Sequence, residues 1–347
     1  MAPRARAADA GDPRRIAVLR LSSLGDVILT LPCVQALRAA YPAAEIAYWT
    51  KEEYAGVVRH EPALTRVRAL EKDARRVEDL VSMSAELEDS DLIVDLHASL
   101  RTRVLTFRQQ ARVLRVKTRR LQRSRWVHAR WTEPAPLPHA LERYAATLAP
   151  LGIAVDGVPA VHVDEVSERW AADWLAWAGA APIALCPGTA HFTKRWPERH
   201  WLALHDRLRA AGVPLVYFGL KREFDDVPAL RQRIADDPAG ARMCSEPLPR
   251  IAAAMALCRA AVSSDSGLMH LAAARGLRVV AMFGSTAPEL GFAPAGDGHV
   301  VLCRHEKCQP CTLHGREECP LKHFRCMELL EPETVWEGLR QVGAVSG

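Results

Sequence analysis

No run of 18 or more uncharged apolar residues occurs in this 347-residue chain, so no helix able to cross a bilayer is expected. The apolar stretch from Ile16 to Ala40 does not suit a signal core, because Arg20, Asp26 and Arg38 interrupt it. Residues 1–14 are polar, charged and rich in Ala and Pro, and are expected to form a disordered leader. No G-x-G-x-x-G follows the first apolar run, which disfavours a nicotinamide or flavin dehydrogenase. No G-x-x-x-x-G-K-[ST] occurs, which excludes a P-loop nucleotidase. Acidic residues are absent from Arg101 to Trp131, a stretch crowded with Arg and Lys in a chain of net charge +5 and pI near 8.8. That imbalance points to an anionic partner. The nine cysteines are an odd number, and Cys33, Cys186, Cys244 and Cys258 stand in apolar surroundings. A reduced cytoplasm fits them better than a disulfide scaffold.

What the chain does contain is a repeated alternation of short apolar, β-branched runs with helical patterns, the signature of parallel βαβ units. Its length suggests two domains, each able to bury a full core. In the first half, strands are predicted at Ile16–Leu21, Ile46–Thr50, Leu92–His97 and Arg112–Val116, with helices at Val34–Ala40 and Val77–Glu88. A Pro- and Gly-punctuated linker spans Ala149–Pro159. The second half restarts the pattern. Helices are predicted near Glu168–Ala178, at Glu198–Ala211, near Pro249–Arg259 and at Gly267–Ala274. The strands between them are Ile183–Cys186, Leu215–Phe218, Ala261–Ser264 and Arg278–Phe283. The expected architecture is α/β, two doubly wound Rossmann-like domains over residues 15–155 and 156–347, with ligands beyond the carboxyl ends of the strands.

Three loops stand at such ends. Ser22, Ser23, Leu24, Gly25 and Asp26 follow the first strand; Pro187, Gly188 and Thr189 precede "TKRWP", where Pro197 suits a first helical turn; Asp265, Ser266 and Gly267 lead to His270. Backbone N–H groups at a helix start, beside Gly, Ser and Thr, make an anion site, and Lys194 adds a full positive charge, so a diphosphate fits there. Ser, Thr and Asp also serve simply as helix caps, and three loops of this kind weigh more than one. Asp89-Ser90-Asp91 has the D-x-D form of a cation-bound sugar transferase, yet it precedes a strand, so it is expected to be a plain loop.

"LRLSSLGDVILTLP", "PGTAHFTKRWPERHW" and "SSDSGLMHLAAARG…VVAMFGST" together resemble the lipopolysaccharide heptosyltransferases, from about Arg15 to near Trp336. The "PG…KRWP" and "DSGLMH" forms lean toward the second heptosyltransferase of the pathway. The resemblance implies a GT-B fold with the active site in the cleft between its two domains. It also implies metal-independent, inverting transfer of heptose from ADP-heptose to an inner core carrying Kdo or heptose on lipid A. Asp26 then matches the base that takes the acceptor proton; a carboxylate at a helix start suits that role, and equally suits the helix dipole.

By the same match, Thr189, Lys194, Ser266, Gly267 and Leu268 meet the charge on the departing diphosphate. Asp265 holds sugar or loop, His270 lies near the phosphates, and Glu223 reaches the ribose. Ser23, Gly25 and His97 fall on the acceptor side. The acid-free basic segment gains a purpose: Arg101 and Arg103, with Arg120 and Arg143 behind them, suit carboxylates and phosphates of the acceptor, and peripheral contact with the anionic inner membrane. No cofactor is required for transfer on this reading. Cys308, Cys311, Cys319 and Cys326 have spacing that could surround a structural zinc or an iron–sulfur cluster, with free thiols or a regulatory disulfide as alternatives. The rival readings are a GT-B enzyme or epimerase using another nucleotide sugar, and a nucleic-acid-binding protein, which the lack of interleaved aromatics disfavours.

Overall fold

A computed structural model describes residues 11–70, 84–129 and 137–346. The expected leader up to residue 10, the helix predicted at Val77–Glu88 up to residue 83, and Arg130 and Trp131 of the basic segment lie outside the described residues. The chain forms two compact units, Met1–Thr118 with Ala140–His162, and Arg119–His139 with Val163–Gly347.

The first unit is built on a five-stranded sheet of order β3-β2-β1-β4-β5: β1 Arg15–Leu19, β2 Glu45–Lys51, β3 Arg66–Leu70, β4 Leu92–Asp95 and β5 Arg112–Arg115. Every pairing is parallel, with Val18 opposite Tyr48 on one side and Val94 on the other. Central strands of a parallel sheet are covered on both faces, so they read as unbroken apolar runs; β4 is buried throughout and β1 from Ile16 on. β3, Arg-Val-Arg-Ala-Leu, was not predicted. It is an edge strand whose arginines face water and spoil the apolar pattern.

The second unit carries a parallel six-stranded sheet of order β11-β10-β9-β6-β7-β8. Its strands are β6 Ile183–Cys186, β7 Leu215–Phe218, β8 Ala241–Cys244, β9 Ala260–Ser264, β10 Val279–Phe283 and β11 Val300–Cys303. The edges β8 and β11 were again missed, being short and half-exposed. Trp196 and Trp201 are fully buried in an edge-to-face pair, and the Trp196 indole N–H donates to the Leu330 carbonyl at 2.7 Å, tying the C-terminal segment to the core. Pro197 caps the helix Glu198–Ala210 instead of occupying its first turn.

Each sheet is doubly wound, and each reverses its strand order beside its first strand, between β1 and β4 and between β6 and β9. The loops leaving those four strands border the place where such sheets bind ligands. Asp26, His97, Thr189, Lys194 and Asp265 all follow one of them.

Candidate active site

In the first unit, the chain leaves β1 through Arg20 and enters the helix Leu24–Leu29, with Ser23 as N-cap and Asp26 at its third position. The Asp26 carboxylate is saturated with donors. Arg20 Nη2 lies 2.6 Å from Oδ2, Tyr144 Oη donates to Oδ1 at 2.5 Å, and Ser23 Oγ donates to Oδ2 at 3.0 Å. The Arg20 guanidinium also sits over the Tyr144 ring, 5.4 Å from its centroid, and donates to the Leu96 carbonyl at 2.7 Å. Burial opposes ionisation of Asp26, but the adjacent Arg20 charge, then the Tyr144 and Ser23 hydrogen bonds, outweigh it and hold the carboxyl at about 2. The same environment pushes the Tyr144 hydroxyl well up, through burial first and the Asp26 charge second.

Asp95, at the end of β4, organises the neighbouring loop. Its fully buried carboxylate accepts from the His97 and Ala98 backbone N–H groups at 3.0 and 2.8 Å and from Arg115 Nε at 2.7 Å. His97 is held neutral: burial, then the Arg20 charge, lower it to about 4. Arg101 and Arg103 project from the next helix, Leu100–Leu105, and are exposed, whereas Arg143 is buried beside Tyr144. Arg120 is also exposed and falls in the second unit.

In the second unit, Lys194 Nζ lies 2.8 Å from Asp265 Oδ2, and Thr286 Oγ1 donates to the same carboxylate at 2.7 Å. Burial works against the charged form of Asp265, yet the Lys194 ammonium, the Thr286 hydroxyl and the nearby His270 lower its pKa. Ser266 caps the helix Gly267–Ala274, so the N–H groups of Gly267 and Leu268 are at its open end, a turn before the buried His270. Thr189 is buried, its hydroxyl donating to the His191 carbonyl at 2.7 Å. Glu223 accepts from the Leu220 N–H at 2.8 Å and lies so close to Gly188 that a β-carbon there would stand 2.5 Å from its Cδ. The loops after β6 and β7 therefore touch through a glycine that could not carry a side chain without displacing Glu223.

Ionised carboxylate on one unit and an ammonium–carboxylate pair beside a helix start on the other are the equipment for deprotonating an alcohol and holding a phosphate. Residues 81–323 match the profile of glycosyltransferase family 9 (heptosyltransferase). The chain belongs to that family. Lys194, Asp265 and Glu223 fall inside the matched residues, and Asp26 precedes them. The chain is 30% identical over 321 residues to lipopolysaccharide heptosyltransferase 1 of Pseudomonas aeruginosa, covering 86% of each chain. Its fold resembles that of a family 9 glycosyltransferase from Veillonella parvula (TM-score 0.78, 21% identity, 95% and 97% coverage). It also resembles the Escherichia coli ADP-heptose LPS heptosyltransferase II (TM-score 0.70, 21% identity, 94% and 98% coverage). The two parallel-sheet units are thus those of a GT-B glycosyltransferase.

Sequence reasoning missed five residues of this glycosyltransferase's polar clusters: Arg20, Asp95, Arg115, Tyr144 and Thr286. Arg20 and Thr286 lie inside or beside quoted motifs, but nothing in the spacing pairs them with a carboxylate. Cys308, Cys311, Cys319 and Cys326 lie near one another, although among the described residues no group of three or more His, Cys, Asp or Glu is arranged to hold a metal ion as it stands. The Cys308 thiol meets His323 Nε2 at 3.8 Å, and the Cys311 backbone N–H donates to the Ser285 carbonyl at 3.0 Å. Burial, then neighbouring thiols, raise Cys311 and push Cys326 up to about 12. The D-x-D loop is structural: Asp91 Oδ2 accepts from the Arg14 and Arg15 backbone N–H groups at 2.8 and 2.9 Å.

Proposed function

We propose that the chain is an inverting heptosyltransferase that needs no metal. It moves L-glycero-D-manno-heptose from ADP-heptose to the Kdo- or heptose-bearing inner core of lipopolysaccharide, in the cytoplasm and at the inner face of the membrane. The observation that carries the chemistry is Asp26, an ionised carboxylate at the carboxyl end of β1. Asp26 takes the proton of the acceptor hydroxyl as that oxygen bonds to the anomeric carbon and the C–O bond to ADP breaks on the opposite face. A carboxylate this acidic is a weak base, so transfer of the proton is late, once bond formation has made the hydroxyl acidic.

Lys194, the helix start at Gly267 and Leu268, Thr189 and Ser266 meet the charge growing on the diphosphate, with His270 beside them. Asp265 fixes Lys194, and Glu223 takes the ribose hydroxyls. Arg101 and Arg103 bind acceptor carboxylates or phosphates, with Arg120 and Arg143 in support and Ser23, Gly25 and His97 shaping the floor. This reading is supported by the relatives named above, a lipopolysaccharide heptosyltransferase 1 and an ADP-heptose LPS heptosyltransferase II.

The test is turnover of ADP-heptose against Kdo-only and monoheptosylated acceptors, in chelator, with the product's anomeric configuration read by NMR. Transfer to one of the two acceptors with inversion, undiminished by chelator, is expected. Thermal stabilisation by UDP in preference to ADP, with no transfer from ADP-heptose, would replace the donor assignment.

A further inference from the structure

The helix Leu100–Leu105 of the first unit breaks the usual rule for large apolar side chains. Leu100 is 79% exposed and Phe107, in the turn that continues it, is 80% exposed. Hydrogen bonds from Thr106 N–H to the Thr102 carbonyl and from Phe107 N–H to the Val104 carbonyl carry the helical path through that turn. Residues seven apart on such a path return to within about 20° of one face, so Leu100 and Phe107 form a single apolar stripe with half-buried Val104 between them. Thr102, Leu105 and Thr106 point the other way and are buried. Arg103 flanks the stripe on one side, and Arg101 and Arg108 on the other, all exposed.

The stripe is held firmly. Ser99 and Thr102 exchange capping bonds at the helix start, Thr102 N–H to Ser99 Oγ at 3.3 Å and Ser99 N–H to Thr102 Oγ1 at 3.0 Å. At the other end Gln109 Nε2 donates to the Ser84 carbonyl at 2.7 Å and Arg115 Nη2 to Thr106 Oγ1 at 2.6 Å. Exposure of Leu100 and Phe107 is therefore a property of a fixed surface.

A short apolar ridge bordered by guanidinium groups, in a stretch without a single acid from residue 96 to 132, is complementary to one kind of surface. Acyl chains accept the ridge while anionic headgroups meet the arginines. We infer that Leu100 and Phe107 insert into an anionic phospholipid bilayer, with Arg108 among the charges that draw the protein there. This rests on the reading above that the acceptor is a lipid, and it names residues that the transfer chemistry does not use.

Co-sedimentation with vesicles of phosphatidylglycerol and phosphatidylethanolamine, against vesicles of phosphatidylcholine, tests it. The wild type is expected to partition onto the first and not the second. Leu100→Ser with Phe107→Ser is expected to lower that partitioning roughly tenfold or more, and Arg108→Glu to lower it and its salt sensitivity together. Transfer to a deacylated, water-soluble acceptor should be unchanged in the double variant, which also shows that it folds. Binding of the double variant equal to wild type overturns the inference, as does a wild-type dimer in sedimentation velocity that the double variant converts to monomer. Vesicle binding needs no sugar nucleotide, so loss of transfer in the wild type would count against the enzymatic reading alone.

Discussion

Tyr144 and Asp26 are separated by 118 residues and joined by a 2.5 Å hydrogen bond, the hydroxyl donating to Oδ1. With Arg20 on the other oxygen, the carboxylate has two fixed directions and remains ionised far below neutral pH. Asp26→Asn is expected to cut turnover by roughly a hundredfold or more, the usual scale for a general base, while ADP-heptose affinity is kept. A near-normal rate in single-turnover assays would remove the base assignment.

Tyr144→Phe deletes one donor and leaves the ring. The carboxyl pKa should rise from about 2 toward the ordinary value, because a hydrogen bond to its charged form is lost. The acid limb of kcat/KM, which for the wild type falls well below the assay range, should move up in pH, with kcat reduced through looser positioning. A merely structural tyrosine would lower the rate without moving that limb.

Arg20 links the site to stability. Asp26 has a folded pKa below its unfolded one, so its ionisation stabilises the fold above about pH 4 and that contribution is lost as pH falls toward 2. Arg20→Gln reverses the balance, leaving a mostly buried carboxylate without its cation, and should cost about 3 kcal/mol at pH 7 in urea denaturation. Adding Asp26→Asn to that variant should recover much of the loss.

In the second unit, Thr286→Val removes the hydroxyl that orients Asp265 and leaves the Lys194 pair in place. The expected result is a weaker hold on the donor, seen as a raised KM for ADP-heptose. The acid limb assigned above to Asp26 should not change. Lys194→Gln should be more damaging, roughly a hundredfold in kcat/KM, because it strands Asp265 as well as removing the phosphate's cation.

Gly188→Ala tests the contact between loops. Its β-carbon would displace Glu223, and ADP affinity, read by calorimetry, should fall about tenfold if that carboxylate holds the ribose. Glu223→Ala should then make the glycine substitution nearly silent.

β6, β7 and the helix Gly267–Ala274 occupy the residues predicted for them, since a central strand or a buried helix announces itself as an unbroken apolar run. The edge strands β3, β8 and β11 did not, because water on their open side admits Arg, Met and Cys into the pattern. Asp26, Lys194 and Asp265 were legible as polar residues at strand ends. Their partners were not: Tyr144 comes from a helix far along the chain, and Arg20 looks like the ordinary end of a strand.

The pairing of Lys194 with Asp265 means that the lysine is never bare. On the proposed roles, an incoming pyrophosphate exchanges one anion for another, so its net grip is only the margin by which it beats the resident aspartate. Nucleotide left behind after transfer enjoys that same thin margin, and the carboxylate is already in place to reclaim the ammonium as it departs.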